Sequence, residues 1–348
     1  MRSHSVALLP GDGVGPEVVA EAVKVLRAAA RLDGGFELAM EEISIGAGEY
    51  LRSGEAMSEQ AFQRIRAKDA VLLGAMGLPS VRLPSGVEIA PQLDLRERLD
   101  LYAGLRPIRL YHPRFSPLAS KRAGSIDLLL VRENTEGMFW SRKGSLVAND
   151  DERIDGLRIS RAGSERLFRA AFEQARARRG KVTLVDKANV LPSLAFFRGI
   201  FDEVAAEFPD IETERIYVDA AALYLVRRPE SFDVMVTENM FGDILSDLAA
   251  GLIGGMGMAP SGDIGDRHAV FQPSHGSAPD IAGQGVANPT ATILSAALLL
   301  DWLGEKEAAG AVSRAVERAL NDPAQWTRDL GGEQSCAGLG DAVVAQLG

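Results

Sequence analysis

Two aspartates one helical turn apart are the residues of this sequence whose spacing best suits cation binding. Asp243 and Asp247 lie four positions apart within the segment 239–248. On a helix their carboxylates would share a face, and the like charges would favour a positive group between them. Oxygen ligands on a rigid face suit a hard divalent cation such as Mg²⁺ or Mn²⁺. The alternative is a solvated acidic surface, which this pair alone does not exclude.

The chain just before the aspartate pair predicts where the pair would lie in a fold. The apolar run 232–236 is typical of a buried strand, and it ends at Thr237. A strand, a short loop and then an acidic helix would place the pair at the carboxyl edge of a sheet. Open α/β sheets bind ligands at that edge.

Three arginines are candidates for binding an anionic ligand. Arg96 falls in a predicted helix, Arg106 opens a predicted strand and Arg132 ends another. Guanidinium groups hold carboxylates in a fixed plane, so three of them in one cleft would bind a dicarboxylate. Each arginine alone is more typical of a protein surface, and the sequence does not show that the three converge.

Composition limits the class of protein. The 348 residues suffice for about two domains, and the apolar content of 46% and charged content of 25% are ordinary for a soluble globular protein. The net charge of −10 argues against nucleic acid or an anionic membrane as a partner. A single cysteine, Cys336, excludes an internal disulfide framework and indicates a reducing cytoplasm. Neither a signal peptide nor a membrane helix is predicted.

Strand and helix patterns alternate along the chain, which predicts an α/β fold with a largely parallel, helix-covered sheet. Strands are predicted at 6–9, 37–43, 70–75, 126–131 and 181–186, and helices at 17–30, 59–67, 93–101, 164–179 and 290–302. The segment 77–91 predicts a mobile loop. The segment 251–288 contains nine glycines and three prolines, which favours a ligand-binding loop. The glycine spacing near Asp12 does not match a dinucleotide-binding fingerprint, and its carboxylate would repel a pyrophosphate.

Six motifs carry a resemblance that spans nearly the whole chain. They are Leu9–Glu17, Leu105–Pro107, Val131–Gly137, Asp186–Leu191, Phe241–Asp247 and His275–Gly283. In this order they resemble the β-decarboxylating dehydrogenases, the family of isocitrate, 3-isopropylmalate and homoisocitrate dehydrogenases. The 3-isopropylmalate and homoisocitrate branches are the more similar ones. The resemblance implies a two-domain fold with a large mixed, mostly parallel sheet. Residues 1–101 plus 254–348 would form the cofactor-side domain, and 102–253 a central domain with the dimer interface.

The same resemblance implies an active site shared between the subunits of a homodimer. Asp243 and Asp247 would bind Mg²⁺ or Mn²⁺ from one subunit, while Asp219 and Lys187 would reach in from the other. Lys187, among aspartates, would relay the proton of the substrate hydroxyl at neutral pH. The arginines at 96, 106 and 132 match the positions that hold the carboxylates of a small dicarboxylate or tricarboxylate. Without the motif, Lys187 would be read as one half of a structural salt bridge.

The cofactor expected from the resemblance is NAD. Six residues match the family's cofactor-binding positions: His275, Gly276, Ser277, Ala278, Asp280 and Asn288. A carboxylate at Asp280 can accept both ribose hydroxyls and would repel a 2′-phosphate. Relatives that use NADP carry Lys and Tyr where this chain has Asp280 and Ile281.

Three departures from the family pattern bear on activity. Phe139 stands where the family has a tyrosine that protonates the enol carbon. Tyr224 is a candidate substitute for that proton donor, although the simpler interpretation of Tyr224 is a core or interface residue. Gln272 replaces a common glutamate. The loop 88–93, which selects the group on the substrate's C3, ends in Gln92 and Leu93 and fits no branch cleanly.

The sequence therefore predicts NAD- and metal-dependent oxidation, with decarboxylation, of a 3-substituted malate or a related 2-hydroxy dicarboxylate. Phe139 keeps two alternatives open. One is a malate- or tartrate-type oxidation without efficient decarboxylation, and the other is a non-catalytic regulatory homologue. Retention of Lys187, the aspartates and the arginines argues against the second, because a binding protein needs no proton relay.

Overall fold

A ten-stranded mixed sheet forms the centre of the molecule in the computed structural model, which describes residues 1–84, 86–119 and 121–348. The strands are β1 (Arg2–Gly11), β2 (Phe36–Glu42), β3 (Ala70–Ala75), β4 (Ala103–Arg109), β5 (Asp127–Glu133), β6 (Val147–Ala148), β7 (Arg153–Ile154), β8 (Lys181–Asp186), β9 (Glu212–Tyr217), β10 (Val234–Thr237), β11 (Pro260–Ile264) and β12 (Ala269–Pro273). The helices are α1 (Gly15–Asp33), α2 (Ala47–Ser53), α3 (Glu59–Arg66), α4 (Pro91–Arg98), α5 (Arg161–Arg176), α6 (Pro192–Ala205), α7 (Val218–Arg227), α8 (Asn239–Gly251), α9 (Thr290–Trp302), α10 (Lys306–Leu320) and α11 (Cys336–Ala345).

The strand order is β2-β1-β3-β12-β11-β4-β5-β10-β8-β9, with a separate small sheet of β6 and β7. In the ten-stranded sheet, pairing is parallel except where β11 meets β12 and β4 and where β4 meets β5. The predicted α/β class and the mostly parallel sheet are therefore confirmed. The three antiparallel pairings are adjacent, so the strand direction alternates from β12 to β5 in the middle of the sheet.

Apolar side chains on both faces of the sheet bury the strands between helices. One cluster packs α5 and α6 over β5, β8 and β10, and its centre is an aromatic group in which the ring centroids of Phe168 and Phe197 are 4.6 Å apart. A larger cluster joins α1, α9 and α10 to β1, β3 and β12, and it also contains the alternate side chains of β5 and β10, such as Leu130 and Met235. None of the described helices combines the length and the apolar character needed to cross a bilayer.

The glycine-rich segment 251–288 differs from the expected loop in one respect. It contains the antiparallel hairpin β11–β12, which inserts into the centre of the sheet between β3 and β4. Hydrophobic periodicity did not reveal these strands because they are short and carry polar side chains into the interior. The predicted loop over 77–91 contains an isolated bridge between Arg82 and Glu88, and Ser85 lies outside the described residues.

Candidate active site

The helix α8 presents the aspartate pair to a cleft, as its spacing predicted. The Glu238 side chain starts the helix by accepting hydrogen bonds from the backbone N–H groups of Met240 and Phe241, at 3.1 and 2.6 Å. Leu245 then faces the core, while Asp243 and Asp247 both line a cleft of about 230 Å³. The strand β10, directly before the helix, pairs in parallel with β5 and β8, so the cleft opens at a carboxyl edge of the sheet.

Arg132 is the positive group beside the aspartates. Its position follows from register, because Arg132, the second-to-last residue of β5, lies directly opposite Thr237, and α8 begins two residues after Thr237. Its guanidinium pairs with Asp243 and donates two hydrogen bonds to Oδ1 of Asn239, at 3.0 Å from Nε and 2.7 Å from Nη2. A Cβ at Gly242 would lie 2.6 Å from the Arg132 side chain, so glycine lets the arginine cross the helix. Burial lowers the pKa of Arg132 to about 10, and it remains a cation at neutral pH.

The acidic pair fits a divalent cation on its chemistry. Burial, followed by repulsion from Asp243, raises the pKa of Asp247, and a bound cation would remove that repulsion. Within the described residues, however, one chain gathers no set of three or more carboxylate, histidine or cysteine side chains suited to a metal. Any third protein ligand would come from outside this set, such as a second subunit, and oxygens of water or of a bound ligand suit the remaining positions.

Arg96 and Arg106 converge on the same cleft as Arg132. Both are buried, and both are bound to a residue that sequence reasoning missed, Asp263 of β11. Nε of Arg96 donates to Oδ2 of Asp263 at 2.8 Å, and Nη2 of Arg106 lies 3.0 Å from Oδ1. No sequence signal marked Asp263, because it lies in the segment where the hairpin was not predicted.

Lys187 and Asp219 do not line this cleft in the single chain. They pair with each other instead, with Nζ of Lys187 donating to Oδ1 of Asp219 at 2.7 Å. The pair is at the surface, where the Asp219 side chain is 67% exposed. The hydrogen bond from Lys187 lowers the pKa of Asp219. This position is compatible with a role toward another subunit, as the resemblance implied.

The three departures from the family pattern also have defined positions. Phe139 lines the cleft, with its ring centroid 5.2 Å from the guanidinium carbon of Arg132. Gln272 of β12 lines it too, and its amide Nε2 donates to Oδ2 of Asp263 at 3.1 Å. Tyr224 does not line the cleft; its ring packs against the core and under Arg228, 3.9 Å away. Gln92 and Leu93, from the loop that was expected to select the C3 group, line the cleft as well.

A second cleft, of about 680 Å³, adjoins the first through the side chain of His275, which lines both. Of the expected cofactor residues, Ala278, Asp280 and Asn288 line the second cleft and Gly276 lines the first. Ser277 lines neither: it is buried, and its carbonyl accepts a hydrogen bond from the backbone N–H of Val14 at 2.8 Å. Two residues missed by sequence reasoning, Arg328 and Asp329, complete the second cleft.

His275 and Asn288 are fixed by neighbouring groups. Nδ1 of His275 lies 2.8 Å from the carbonyl oxygen of Gly276, and burial lowers the pKa of the imidazole, so the neutral ring has Nε2 as an acceptor. That Nε2 is buried and has no partner in the described part of the chain. Asn288 donates to Asp329 at 3.0 Å and accepts from the N–H of Thr290 at the start of α9. The second cleft thus offers three polar groups to a ligand: Nε2 of His275 as a hydrogen-bond acceptor, the carboxylate of Asp280 and the guanidinium of Arg328.

Asp12, which argued against a dinucleotide fingerprint, has a structural role. Its buried carboxylate accepts hydrogen bonds from the backbone N–H groups of Ala47, Gly48 and Gly77, each at 2.8 Å. It therefore joins the turn between β1 and α1 to the start of α2 and to the loop after β3, and its carboxylate is occupied by the protein itself.

Comparison with known proteins agrees with this geometry. The family model for isocitrate/isopropylmalate dehydrogenase matches residues 5–343. A 3-isopropylmalate dehydrogenase from Xanthomonas euvesicatoria is 43% identical over 368 residues, covering 99% of this chain and 100% of the relative. An isocitrate/homoisocitrate dehydrogenase from Thermus thermophilus is 44% identical over 347 residues, covering 99% of each. The two identities are nearly equal, so overall similarity does not select a substrate.

Solved structures give the same result for the fold. The crystal structure of an isocitrate dehydrogenase from Methylococcus capsulatus has a TM-score of 0.88 at 39% identity, with 99% of both chains covered. A β-decarboxylating dehydrogenase from Thermococcus kodakarensis, in its apo form, has a TM-score of 0.84 at 39% identity, with 99% of this chain and 96% of that chain covered. The chain therefore belongs to the isocitrate/isopropylmalate dehydrogenase family of oxidoreductases.

Proposed function

We propose that this protein oxidises a 3-substituted malate or a related 2-hydroxy dicarboxylate, using NAD and a divalent cation, with loss of CO₂. The observation that carries the proposal is the convergence of three arginines and two aspartates on one cleft that adjoins a larger second cleft. Buried guanidinium groups bind carboxylates, and the aspartates supply the oxygen ligands that Mg²⁺ or Mn²⁺ prefers.

In this proposal, the role of each residue follows from its chemistry. Arg96, Arg106 and Arg132 would hold the substrate's carboxylates in place, which keeps C2 oriented toward the cofactor. Asp243 and Asp247 would hold the cation, and Asp280 would accept the ribose hydroxyls of NAD. When bound, the cation would polarise the C2 oxygen of the substrate and NAD would accept the hydride from C2.

The proton of the substrate hydroxyl would pass to Nζ of Lys187 from a second copy of this chain, with the lysine in its neutral amine form, and the Asp219 carboxylate, 2.7 Å from Nζ, would stabilise the ammonium that results. Exposed apolar side chains support such a homodimer. Leu223, one turn after Asp219 on α7, is 52% exposed, and Ile244, directly after Asp243 on α8, is 60% exposed. The helices α7 and α8 pack together, so these side chains border the incomplete metal site and would be covered by the second copy.

The proposal includes the two-domain division at 1–101 plus 254–348 and 102–253. The strand order supports this division, because the ten strands fall into two halves along the sheet. One half contains β2, β1, β3, β12 and β11, and the other contains β4, β5, β10, β8 and β9. The cleft lies where the two groups of strands meet. The single cysteine, Cys336, is buried and free, which supports the cytoplasm as the compartment.

The test is NADH formation over a panel of malate, tartrate, 3-isopropylmalate, homoisocitrate and isocitrate, each with and without Mn²⁺. We expect at least one 2-hydroxy dicarboxylate to be oxidised, and only when Mn²⁺ is present. Oxidation that continues at full rate in excess chelator would contradict the metal assignment. The absence of oxidation on every acid would contradict the enzymatic assignment.

A second candidate function is oxidation without efficient decarboxylation. The observation that favours it is Phe139, which lines the cleft at the family's tyrosine position and has no proton to donate. Measuring CO₂ release beside NADH formation separates the two, because the second candidate predicts less CO₂ than NADH.

Cofactor selection provides a prediction at Asp280. The wild type should prefer NAD over NADP in kcat/KM, because the carboxylate repels a 2′-phosphate. Asp280→Ala should reduce this preference by on the order of tenfold or more, since one unit charge is removed near the phosphate while Arg328 in the same cleft remains. The matched control is Asp301→Ala, at an exposed position of α9 outside both clefts. A wild-type preference for NADP would show that this cleft has been misassigned.

A further inference from the structure

A short 3₁₀ helix, Met138–Lys143, follows β5 and carries Phe139 to the first cleft. A 3₁₀ helix has three residues per turn, so side chains three positions apart lie on the same side. Phe139 and Arg142 have this spacing. The ring of Phe139 lies beside Arg132 in the cleft, and Arg142, one turn later, contacts the helix α4. The same side of this short helix therefore faces both the cleft and α4.

The guanidinium of Arg142 binds two carboxylates of α4. Nη2 donates to Oδ1 of Asp94 at 2.7 Å, and Nε donates to Oε1 of Glu97 at 3.0 Å. Asp94 and Glu97 are one turn apart on α4, so both carboxylates face the arginine. The Arg142 side chain is 25% exposed. A planar guanidinium that donates to two carboxylates has a defined position, so these contacts fix the 3₁₀ helix relative to α4.

The helix α4 is itself part of the cleft wall. On its other side, Nε of Arg96 donates to Oδ2 of Asp263 in β11 at 2.8 Å. In the proposed division, α4 belongs to the cofactor-side domain and the 3₁₀ helix to the central domain. Arg142 therefore joins the two domains at the wall of the cleft. The cleft residues that α4 supplies are Gln92, Leu93 and Arg96.

Other contacts of this segment stay within the central domain. Gly137, directly before the 3₁₀ helix, has a φ of +72°, and a Cβ there would lie 2.7 Å from Oε2 of Glu238 at the start of α8. Oγ of Ser141 accepts from the backbone N–H of Gly156 at 2.8 Å and donates to its carbonyl at 3.1 Å. These contacts hold the segment in place within its own domain. They do not set its distance from α4, whereas the ion pairs of Arg142 do.

We propose that Arg142 is a positioning residue for the oxidation. By binding Asp94 and Glu97 it holds the 3₁₀ helix against α4, so that Phe139 and the cleft residues of α4 form one wall around the bound acid. The inference rests on the proposed function for the identity of the ligand, and it adds a residue that is not part of the described cleft lining. Arg142 acts through Phe139 and α4 and does not touch the acid.

Hydrogen exchange followed by mass spectrometry tests the contact without any acid or cofactor. In Arg142→Ala, the backbone amides of peptides that cover 138–144 and 91–98 should exchange about fivefold faster or more, because the loss of an ion pair promotes local opening. Exchange in the core helix α10 should stay unchanged. The matched control is Arg176→Ala on α5, which removes an arginine that binds Glu173 and Asp210 within the central domain. It should leave both peptides unchanged.

Kinetics test the positioning role. Arg142→Ala should raise KM for the acid about fivefold or more and leave KM for NAD within about twofold of the wild type. The reason is that Phe139 and α4 line the first cleft, whereas the described lining of the second cleft contains no residue of α4 or of the 3₁₀ helix. A variant that was merely less stable would lose kcat in proportion to its folded fraction and keep both KM values.

Three further variants test whether Arg142 and Asp94 act together. Asp94→Asn should raise KM for the acid less than Arg142→Ala does, because Glu97 still accepts from Nε. The double variant Arg142→Ala/Asp94→Asn should match Arg142→Ala alone, because each partner acts through the other. Arg142→Lys should keep part of the wild-type affinity, since an ammonium reaches one carboxylate but cannot bind both in one plane. If Arg142→Ala does not fold, Asp94→Asn and Arg142→Lys decide the question.

Wild-type exchange rates in folded Arg142→Ala, or additive effects of Arg142→Ala and Asp94→Asn on KM for the acid, would overturn the inference. The exchange experiment separates it from the proposed function. Faster exchange confined to the two peptides, in a protein that oxidises no acid, would contradict the proposed function and uphold the contact that Arg142 makes with α4. Oxidation of an acid with an unchanged KM in Arg142→Ala would contradict the positioning role alone.

Discussion

Asp243→Asn should weaken Mn²⁺ binding more than about a hundredfold, because losing even an outer partner of a metal ligand costs about 10–100-fold. The substitution keeps an Oδ1 acceptor for Arg132, so the fold should remain intact. Activity at ordinary Mn²⁺ concentrations should fall to near background. Titration calorimetry with Mn²⁺ measures the affinity. A thermal scan gives a second measurement, because Mn²⁺ should raise the Tm of the wild type and leave that of the variant almost unchanged.

The control for Asp243 is Asp341→Asn, which removes an exposed aspartate on α11 that pairs only with Lys24 among its described contacts. This variant should bind Mn²⁺ like the wild type. A role for the partner's aspartate can be tested with Asp219→Asn, which should also weaken Mn²⁺ binding if two copies share the site. Wild-type Mn²⁺ affinity in Asp243→Asn would show that α8 carries only a solvated acidic face.

Phe139→Tyr should raise the CO₂ released per NADH formed toward one, and it should speed the turnover of a decarboxylated substrate by up to about 10²–10⁴-fold, which is the usual contribution of a general acid to the rate of a step. The ring already lines the cleft beside Arg132, 5.2 Å from the guanidinium carbon. The substitution adds one hydroxyl and leaves the ring unchanged. Oxidation should be little affected, because hydride transfer precedes the protonation step. Trapping CO₂ while following NADH absorbance gives both yields in one assay.

The matched control is Phe196→Tyr, which adds a hydroxyl to an exposed ring that also faces an arginine, 5.7 Å from Arg161. It should change neither yield. Equal CO₂ and NADH from the wild type, with no gain in Phe139→Tyr, would mean that another donor already protonates the enol carbon. A wild type that is inert on every hydroxy acid, but gains activity in Phe139→Tyr, would support the non-catalytic alternative.

The sequence by itself determined the features that depend on local pattern. The apolar run before Thr237 and the i, i+4 spacing of Asp243 and Asp247 predicted a strand, a turn and a helix face, and α8 has this geometry. Alternating strand and helix periodicity predicted the α/β class. The long motifs identified the family, because residues that contact a common ligand stay at fixed positions along each segment.

Only the tertiary structure decided how the three arginines meet and what lies behind them. Arg96 and Arg106 are joined to Asp263 across 167 and 157 positions of the chain, through a hairpin in the glycine-rich segment. Strands of five residues with buried polar side chains give no hydrophobic alternation, so periodicity cannot locate them. Register is a long-range property: the pairing of β11, β4 and β5 places Asp263, Gly104 and Arg132 in one row. The contacts of Asp263 with Arg96 and Arg106 follow from that pairing, which local sequence does not encode.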